Sequence, residues 1–176
     1  EMCIRDRVLS YVGGSVFNDS QFDRVRQSYP QSGSVFKPFI YASAFSEGYN
    51  PSSLINDAPI IFEDENLETF WRPENYSGKF YGLTTLREAL VQSINIVSIK
   101  LLREIGIKKS SETIDNFGFG TERLPQDLSL ALGSGNFSPA EVARGFSVFA
   151  NGGMISDIHY VSPVSYTHLT LPTTST

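Results

Sequence analysis

The stretch Gly33-Ser34-Val35-Phe36-Lys37-Pro38-Phe39 sets a hydroxyl and an amine three residues apart inside an otherwise apolar run. On a helix, residues three apart share a face, so the two groups can meet. A free serine is a weak nucleophile and needs a base. Lysine serves only when neutral, and apolar surroundings depress its pKa. Val35, Phe36, Phe39 and Ile40 are available to supply them. A serine that opens the helix also presents its own N–H at the positive helix end, where an oxyanion can be held. Gly33 lets a substrate approach the backbone closely. Together these groups could transfer an acyl group through a serine ester.

By residue usage alone, S-x-x-K arises about 0.7 times in a chain of this length, so the pair decides nothing unaided. What raises its weight is a lysine on an apolar helix start, because isolated charges avoid cores. Serine acyl-transferases combine S-x-x-K with an S-D-N-like triplet and a Lys-Thr-Gly. Two Ser-x-Asn triplets are present, Ser93-Ile94-Asn95 and Ser134-Gly135-Asn136, and counting does not choose between them. No Lys-Thr-Gly or Lys-Ser-Gly occurs anywhere in the sequence.

Several elements would have to position these groups. Ser34 to Ser46 reads as a helix, apolar nearly all round and hence central and buried. Pro38 is tolerated only near its start, and Gly48 is a natural stop. Val8 to Val12 reads as a short strand, and Ser15 to Gln31 as a loop. Asn50 to Phe80 is broken by Pro51, Pro59, Pro73 and Gly78; it reads as a long excursion with one strand, Ala58 to Phe62. Thr85-Leu86-Arg87-Glu88 is a capping box that opens a helix. A further helix runs from Val97 to Ile105, Ser110 caps a short one ending at Gly118, and Ser138-Pro139-Ala140-Glu141 opens one reaching Ala150.

Composition narrows the field. The formal charge of −5 offers no nucleic-acid footprint and no polybasic membrane patch. Hydrophobic residues at 40% with 19% charged fit a globular domain. No apolar run is long enough to span a membrane. One cysteine, Cys3, and two histidines, His159 and His168, leave no disulfide framework and no Cys-based or His-based metal site. The ends read EMCIRDR and VSYTHLTLPTT with Ser175 and Thr176, and within them Glu1 to Asp6 and Val164 to Leu169 can be written in codons that are reverse complements over most of their length. They resemble the transposase end sequence used to build sequencing libraries. Residues 1–7 and 164–176 are therefore expected to be adapter-derived, and 8–163 to be part of a natural domain.

Four segments in order, GSVFKPFIYASAFSEGYNPSSLINDAPI, FEDENLETFWRPENYSGKFYG, TTLREALVQSINIVSIKLLREIGI and LSLALGSGNFSPAEVARGFSVFANGG, resemble the transpeptidase domain of class A penicillin-binding proteins, most of all the 1A type of Gram-negative bacteria. The resemblance extends to Tyr11-Val12-Gly13-Gly14 and Phe22-Asp23-Arg24, and covers nearly all of 8–163. It implies an α+β fold, the penicillin-binding protein/serine β-lactamase-like one, with an antiparallel sheet flanked by helices. This chain would hold the helical side and part of the sheet.

By the same resemblance Ser34 is the acylated nucleophile and Lys37 its general base. Ser93 relays a proton to the leaving amine, and Asn95 holds the substrate amide. The Ser134 triplet falls in the family's LALGS segment and is structural. Trp71 to Gly82 resembles a loop near the active-site groove. Ser32 stands where many members have proline, which is expected to loosen the entry to the helix. The implied reaction is DD-transpeptidation of peptidoglycan stem peptides ending in D-Ala-D-Ala, with β-lactams as inhibitors and no metal or organic cofactor. The implied parent is anchored in the inner membrane and faces the periplasm, with an upstream glycosyltransferase domain and cell-wall synthesis partners. The missing Lys-Thr-Gly implies that this chain alone is inactive. The competing classes are a β-lactamase or DD-carboxypeptidase of the same superfamily, a non-catalytic penicillin-binding sensor, and a structural domain with accidental motifs.

Overall fold

The computed structural model describes residues 8–63 and 70–159. The ends expected to be adapter-derived thus lie wholly outside the described residues. From Ser15 to Gln31 the chain is turns and irregular backbone, as expected for a polar stretch. A 3-10 turn, Gly33–Phe36, leads directly into α1, Lys37–Ser46, with Pro38 in its first turn. The helix therefore starts as a tighter 3-10 turn than its sequence suggested.

The excursion that follows holds β1, Leu54–Asp57, β2, Phe62–Glu63, and β3, Phe70–Trp71. Then come β4, Gly82–Thr85, α2, Leu86–Val91, α3, Asn95–Ile105, α4, Ile107–Asp115, and α5, Pro139–Ala150. β1 pairs antiparallel with β4, with Leu54 opposite Thr85 and Asp57 opposite Gly82. β2 pairs antiparallel with β3.

Three expectations need correction. In place of one strand at Ala58 to Phe62 the excursion holds three short ones among the described residues; of that range only Phe62 is strand, in β2, and β1 lies earlier, at Leu54–Asp57. Its inward positions are Ile55 and Asp57, and a buried acid on the core face hides the apolar alternation. Val8 to Val12 is not a strand. A strand exists only by ladder pairing, and no described strand runs alongside this segment. Ser110 does not cap α4. It lies inside that helix, fully buried, and accepts a hydrogen bond from Ser43 Oγ at 3.2 Å. The helix starts straight after Gly106, whose φ of 94° ends α3.

The helix starts at Thr85 and Ser138 are as read. Thr85 accepts from Glu88 N, and Ser138 with Glu141 makes both bonds of a capping box.

The core surrounds α1. Phe39, Ile40, Tyr41 and Ala44 are buried, and the helix packs on α3 and α4. A cluster of Phe36, Phe39, Phe119 and Phe137 closes the end near the 3-10 turn, with ring centroids 4.8–5.6 Å apart in the contacting pairs. Edge-on and tilted packing of this kind adds to plain area burial. It fixes the backbone that carries Ser34 and Lys37.

The Leu128-to-Asn136 segment supports that turn from behind. Gly33 N donates to Gly133 O at 2.9 Å, and Ser32 N donates to Gly135 O at 3.1 Å. Ser32 Oγ adds a longer bond to the same carbonyl, 3.4 Å. Serine at 32 thus ties the entry down through an N–H that proline lacks, contrary to the loosening expected. Gly133 has φ of 74°, and a Cβ there would overlap the Gly33 backbone. Gly133→Ala is expected to cost about 3–5 kcal/mol through combined strain and overlap. Chemical denaturation of the full-length variant checks this, and a loss below about 1 kcal/mol would contradict it.

Candidate active site

Four side chains singled out from sequence lie at two places in the fold: Ser34 and Lys37 where the 3-10 turn runs into α1, and Ser93 and Asn95 where the chain turns from α2 into α3. Ser34 sits on the 3-10 turn and is exposed. In a 3-10 turn residues three apart eclipse, so this start aligns Ser34 with Lys37 more directly than an α-helical turn would. Ser34 Oγ has no hydrogen-bond partner among the described residues, so its contact with Lys37 is not closed in this state. Catalytic hydrogen bonds often tighten only when substrate binds.

Lys37 is 1% exposed. Its Nζ donates to Ser93 O at 2.7 Å, Ser93 Oγ at 3.0 Å and Asn95 Oδ1 at 2.7 Å. All three acceptors are uncharged, and no acid forms an ion pair with it among the described residues. Burial without a compensating charge lowers its pKa from 10.5 to about 8. As a neutral amine, Lys37 has two protons and a lone pair, so one hydroxyl contact can reverse. Ser93 Oγ–H, or Ser34 Oγ–H after a small movement, then donates to nitrogen.

Ser93 is the one described non-glycine residue with positive φ, 53°. That left-handed residue turns the chain between α2 and α3 and brings both its carbonyl and its hydroxyl onto Lys37. Asn95 opens α3. Its Oδ1 faces Lys37, and its Nδ2 donates to Glu74 O at 2.9 Å, leaving a second amide proton for another acceptor.

The rival triplet is placed differently. Ser134 Oγ lies 2.6 Å from Ser129 Oγ, and its neighbours Gly133 and Gly135 bond the backbone at Gly33 and Ser32. The first triplet meets the lysine; the second buttresses the turn that carries Ser34.

The amino-acid pattern also matches a known family: the model described as the penicillin binding protein transpeptidase domain matches residues 5–175. The chain belongs to the penicillin-binding protein transpeptidase family. Its similarity runs to the 1A type. Penicillin-binding protein 1A of Pseudomonas aeruginosa is 48% identical over 146 residues, 83% of this chain and 18% of that protein. The crystal structure of penicillin-binding protein 1A from Haemophilus influenzae superposes with a TM-score of 0.81 at 38% identity, covering 84% of this chain and 22% of that one. The penicillin G acyl-enzyme complex of penicillin-binding protein A from Mycobacterium tuberculosis superposes with a TM-score of 0.64 at 21% identity, covering 76% of this chain and 35% of that one. That likeness shows the fold alone. The chain spans about a fifth of the length of the 1A-type relatives it matches. The fold is the penicillin-binding transpeptidase fold, present in part as helices with a small antiparallel sheet. No described helix is long and apolar enough to cross a membrane. No group of three or more metal-ligating side chains occurs among the described residues.

Sequence reasoning missed Asp57 and Asn75, both buried: Asn75 accepts from Asn95 N and donates to Asp57. Asn75 reads in sequence as a turn residue before Ser77-Gly78, and nothing local marks it as a partner of α3.

The lysine geometry has a consequence for pH. Only neutral Lys37 accepts a proton; if it serves as the base proposed below, acylation of the full-length protein by a penicillin rises with pH and levels off above a midpoint near 8. From pH 6 to pH 8 the neutral fraction rises about 50-fold. Stability follows the same direction. Between pH 8 and 10.5 the unfolded chain holds the Lys37 proton while the folded one has released it, so this group's contribution grows as pH rises through that window. An acylation midpoint at 10 or above would contradict the assignment.

Proposed function

We propose that this chain belongs to a peptidoglycan DD-transpeptidase that works through a serine acyl-enzyme. The observation that carries the reading is the buried, charge-uncompensated Lys37, one turn after an exposed serine and bonded to both Ser93 and Asn95.

In the forward reaction, Lys37 Nζ takes the proton of Ser34 Oγ. That oxygen attacks the carbonyl carbon of the D-Ala-D-Ala amide. The C–N bond breaks, and the proton passes through Ser93 Oγ to the leaving amine, releasing D-alanine. An ester remains on Ser34. The amine of a second stem peptide attacks it, its proton returns through the same groups, and the new amide is the crosslink. Asn95 holds the substrate's amide with its second amide proton. The Ser34 N–H, which has no backbone acceptor among the described residues, supplies one oxyanion donor. A β-lactam enters as the donor. Its ring C–N bond opens, and no fragment leaves to admit the acceptor. The penicillin G complex of the Mycobacterium tuberculosis neighbour illustrates that outcome for its own protein.

The second oxyanion donor and the group that binds the substrate carboxylate belong to a Lys-Thr-Gly element absent from this sequence. Loss of one oxyanion donor alone costs about 10²–10³ in rate. The 176-residue chain by itself is accordingly taken as inactive, and the reaction as that of the full-length protein. That protein is placed at the periplasmic face of the inner membrane, with a glycosyltransferase domain upstream, and uses no cofactor. Residues 1–7 and 164–176 are taken as adapter-derived; sequencing the source DNA past the codon for Pro163 tests this.

Product analysis tests the reaction class. Full-length protein given a D-Ala-D-Ala donor and a stem-peptide amine is expected to release D-alanine in step with crosslinked product. D-alanine with only hydrolysed donor would point to a carboxypeptidase. Acylation without turnover would point to a sensor.

A further inference from the structure

The geometry points to Asp57 and Asn75 as positioning residues that lock the Ser93–Asn95 turn against Lys37. The inference rests on the proposed nucleophile and base.

Asp57 ends β1, is fully buried, and forms no ion pair among the described residues. Its carboxylate accepts from Asn75 Nδ2 at 2.9 and 3.0 Å, and from Tyr81 N at 2.9 Å. An ionised carboxylate only accepts, so it decides which end of the Asn75 amide faces it. The nitrogen must face the acid, where it also reaches Lys79 O at 2.9 Å. The oxygen must then face the other way, toward the start of α3.

There Asn75 Oδ1 accepts from Asn95 N at 3.0 Å and Ile96 N at 3.1 Å. The first N–H groups of a helix lack partners within it. The residue at the capping position, Ile94, has no side-chain oxygen to offer. Asn75 therefore caps α3 from a distant part of the chain. Its neighbour Glu74 holds the Asn95 side chain through its carbonyl. The backbone and the side chain of Asn95 are both fixed by residues 74 and 75, and the remaining Asn95 oxygen meets Lys37. An unbroken series of hydrogen bonds runs from Asp57 through Asn75 and Asn95 to the base.

Lys37 has no charged partner to hold it, so its position depends on these neutral acceptors staying in register. The excursion between β1 and β4 thus serves the active site by orienting the Ser-x-Asn turn. Neither Asp57 nor Asn75 touches the reacting atoms.

The test uses full-length protein, a fluorescent penicillin and four variants. Asn75→Ala is expected to slow acylation by about 10- to 100-fold and to move the pH midpoint of acylation. Asp57→Asn takes the charged acceptor away from Asn75 Nδ2, leaving Lys79 O to hold that end of the amide, and should slow it about tenfold. The reciprocal exchange, Asp57→Asn with Asn75→Asp, restores a donor facing an acceptor and keeps an oxygen on α3, at the loss of the bond to Lys79 O. It is expected to recover part of the rate lost in Asp57→Asn. Rates within twofold of the parent for both single variants would overturn the proposal. So would slower acylation with an unmoved pH midpoint and no recovery in the exchange, which is the signature of general destabilisation. If Asn75→Ala does not fold, Asp57→Asn and the exchange decide by the same criteria. Ser34→Ala separates this from the underlying reading. Label retained in that variant overturns the nucleophile, whereas label lost there but unchanged in the Asp57 and Asn75 variants overturns only the positioning role.

Discussion

In the full-length protein, Lys37→Met is expected to slow acylation by a fluorescent penicillin by about 10²–10⁴-fold, the usual worth of a positioned general base. Methionine has nearly the reach of lysine and fills the buried site without the amine. It also leaves Ser93 O, Ser93 Oγ and Asn95 Oδ1 without their donor, so part of the loss could be structural. Lys37→Arg removes that ambiguity. Arginine keeps charge and donors but does not deprotonate in proteins. If Lys37 were only a hydrogen-bonding post, Arg would keep most of the rate. If it is the base, Arg should lose nearly as much as Met. A Lys37→Arg rate within tenfold of the parent would contradict the base assignment.

Ser34→Ala is expected to abolish covalent labelling altogether, because no other hydroxyl occupies its place on the 3-10 turn. The side chain is exposed and lacks a hydrogen-bond partner among the described residues, so the change should leave stability within about 0.5 kcal/mol. Ser134→Ala is the matched control. Its hydroxyl bonds Ser129 behind the turn, and labelling should persist. Gel fluorescence after brief exposure to the penicillin reads both. Labelling that survives in Ser34→Ala, or disappears in Ser134→Ala with the fold intact, would mean that the nucleophile or the triplet is misassigned.

What could be read in the sequence was local. Ser138 and Glu141 announced α5 because a capping box is complete within four residues. Thr85 announced α2 through one half of such a box, its hydroxyl accepting from Glu88 N. The Ser34–Lys37 spacing puts residues three apart on one face in a 3-10 turn as in an α-helix, although Lys37 bonds Ser93 and Asn95 here and not Ser34. The choice of Ser93 over Ser134 was not local, and it came from resemblance. The structure supplies a physical ground for it in the left-handed Ser93 backbone that turns two oxygens onto Lys37. β1 was misplaced because its inward positions carry one apolar residue and one acid, and its existence depends on β4 some thirty residues on. Ser110 looked like a cap because serine usually is one near a helix start. Only tertiary packing against Ser43 reveals it as interior. Asp57 and Asn75 were invisible for the deepest reason: their role is a hydrogen-bonded chain between segments that no spacing rule connects.

The most direct measurement is to map the acylated residue. Full-length protein treated with a penicillin would be digested, and the modified peptide sequenced by mass spectrometry. The account predicts a single stable adduct on Ser34, formed faster at pH 8 than at pH 6. An adduct on any other residue, or none at saturating penicillin in folded protein, would contradict it.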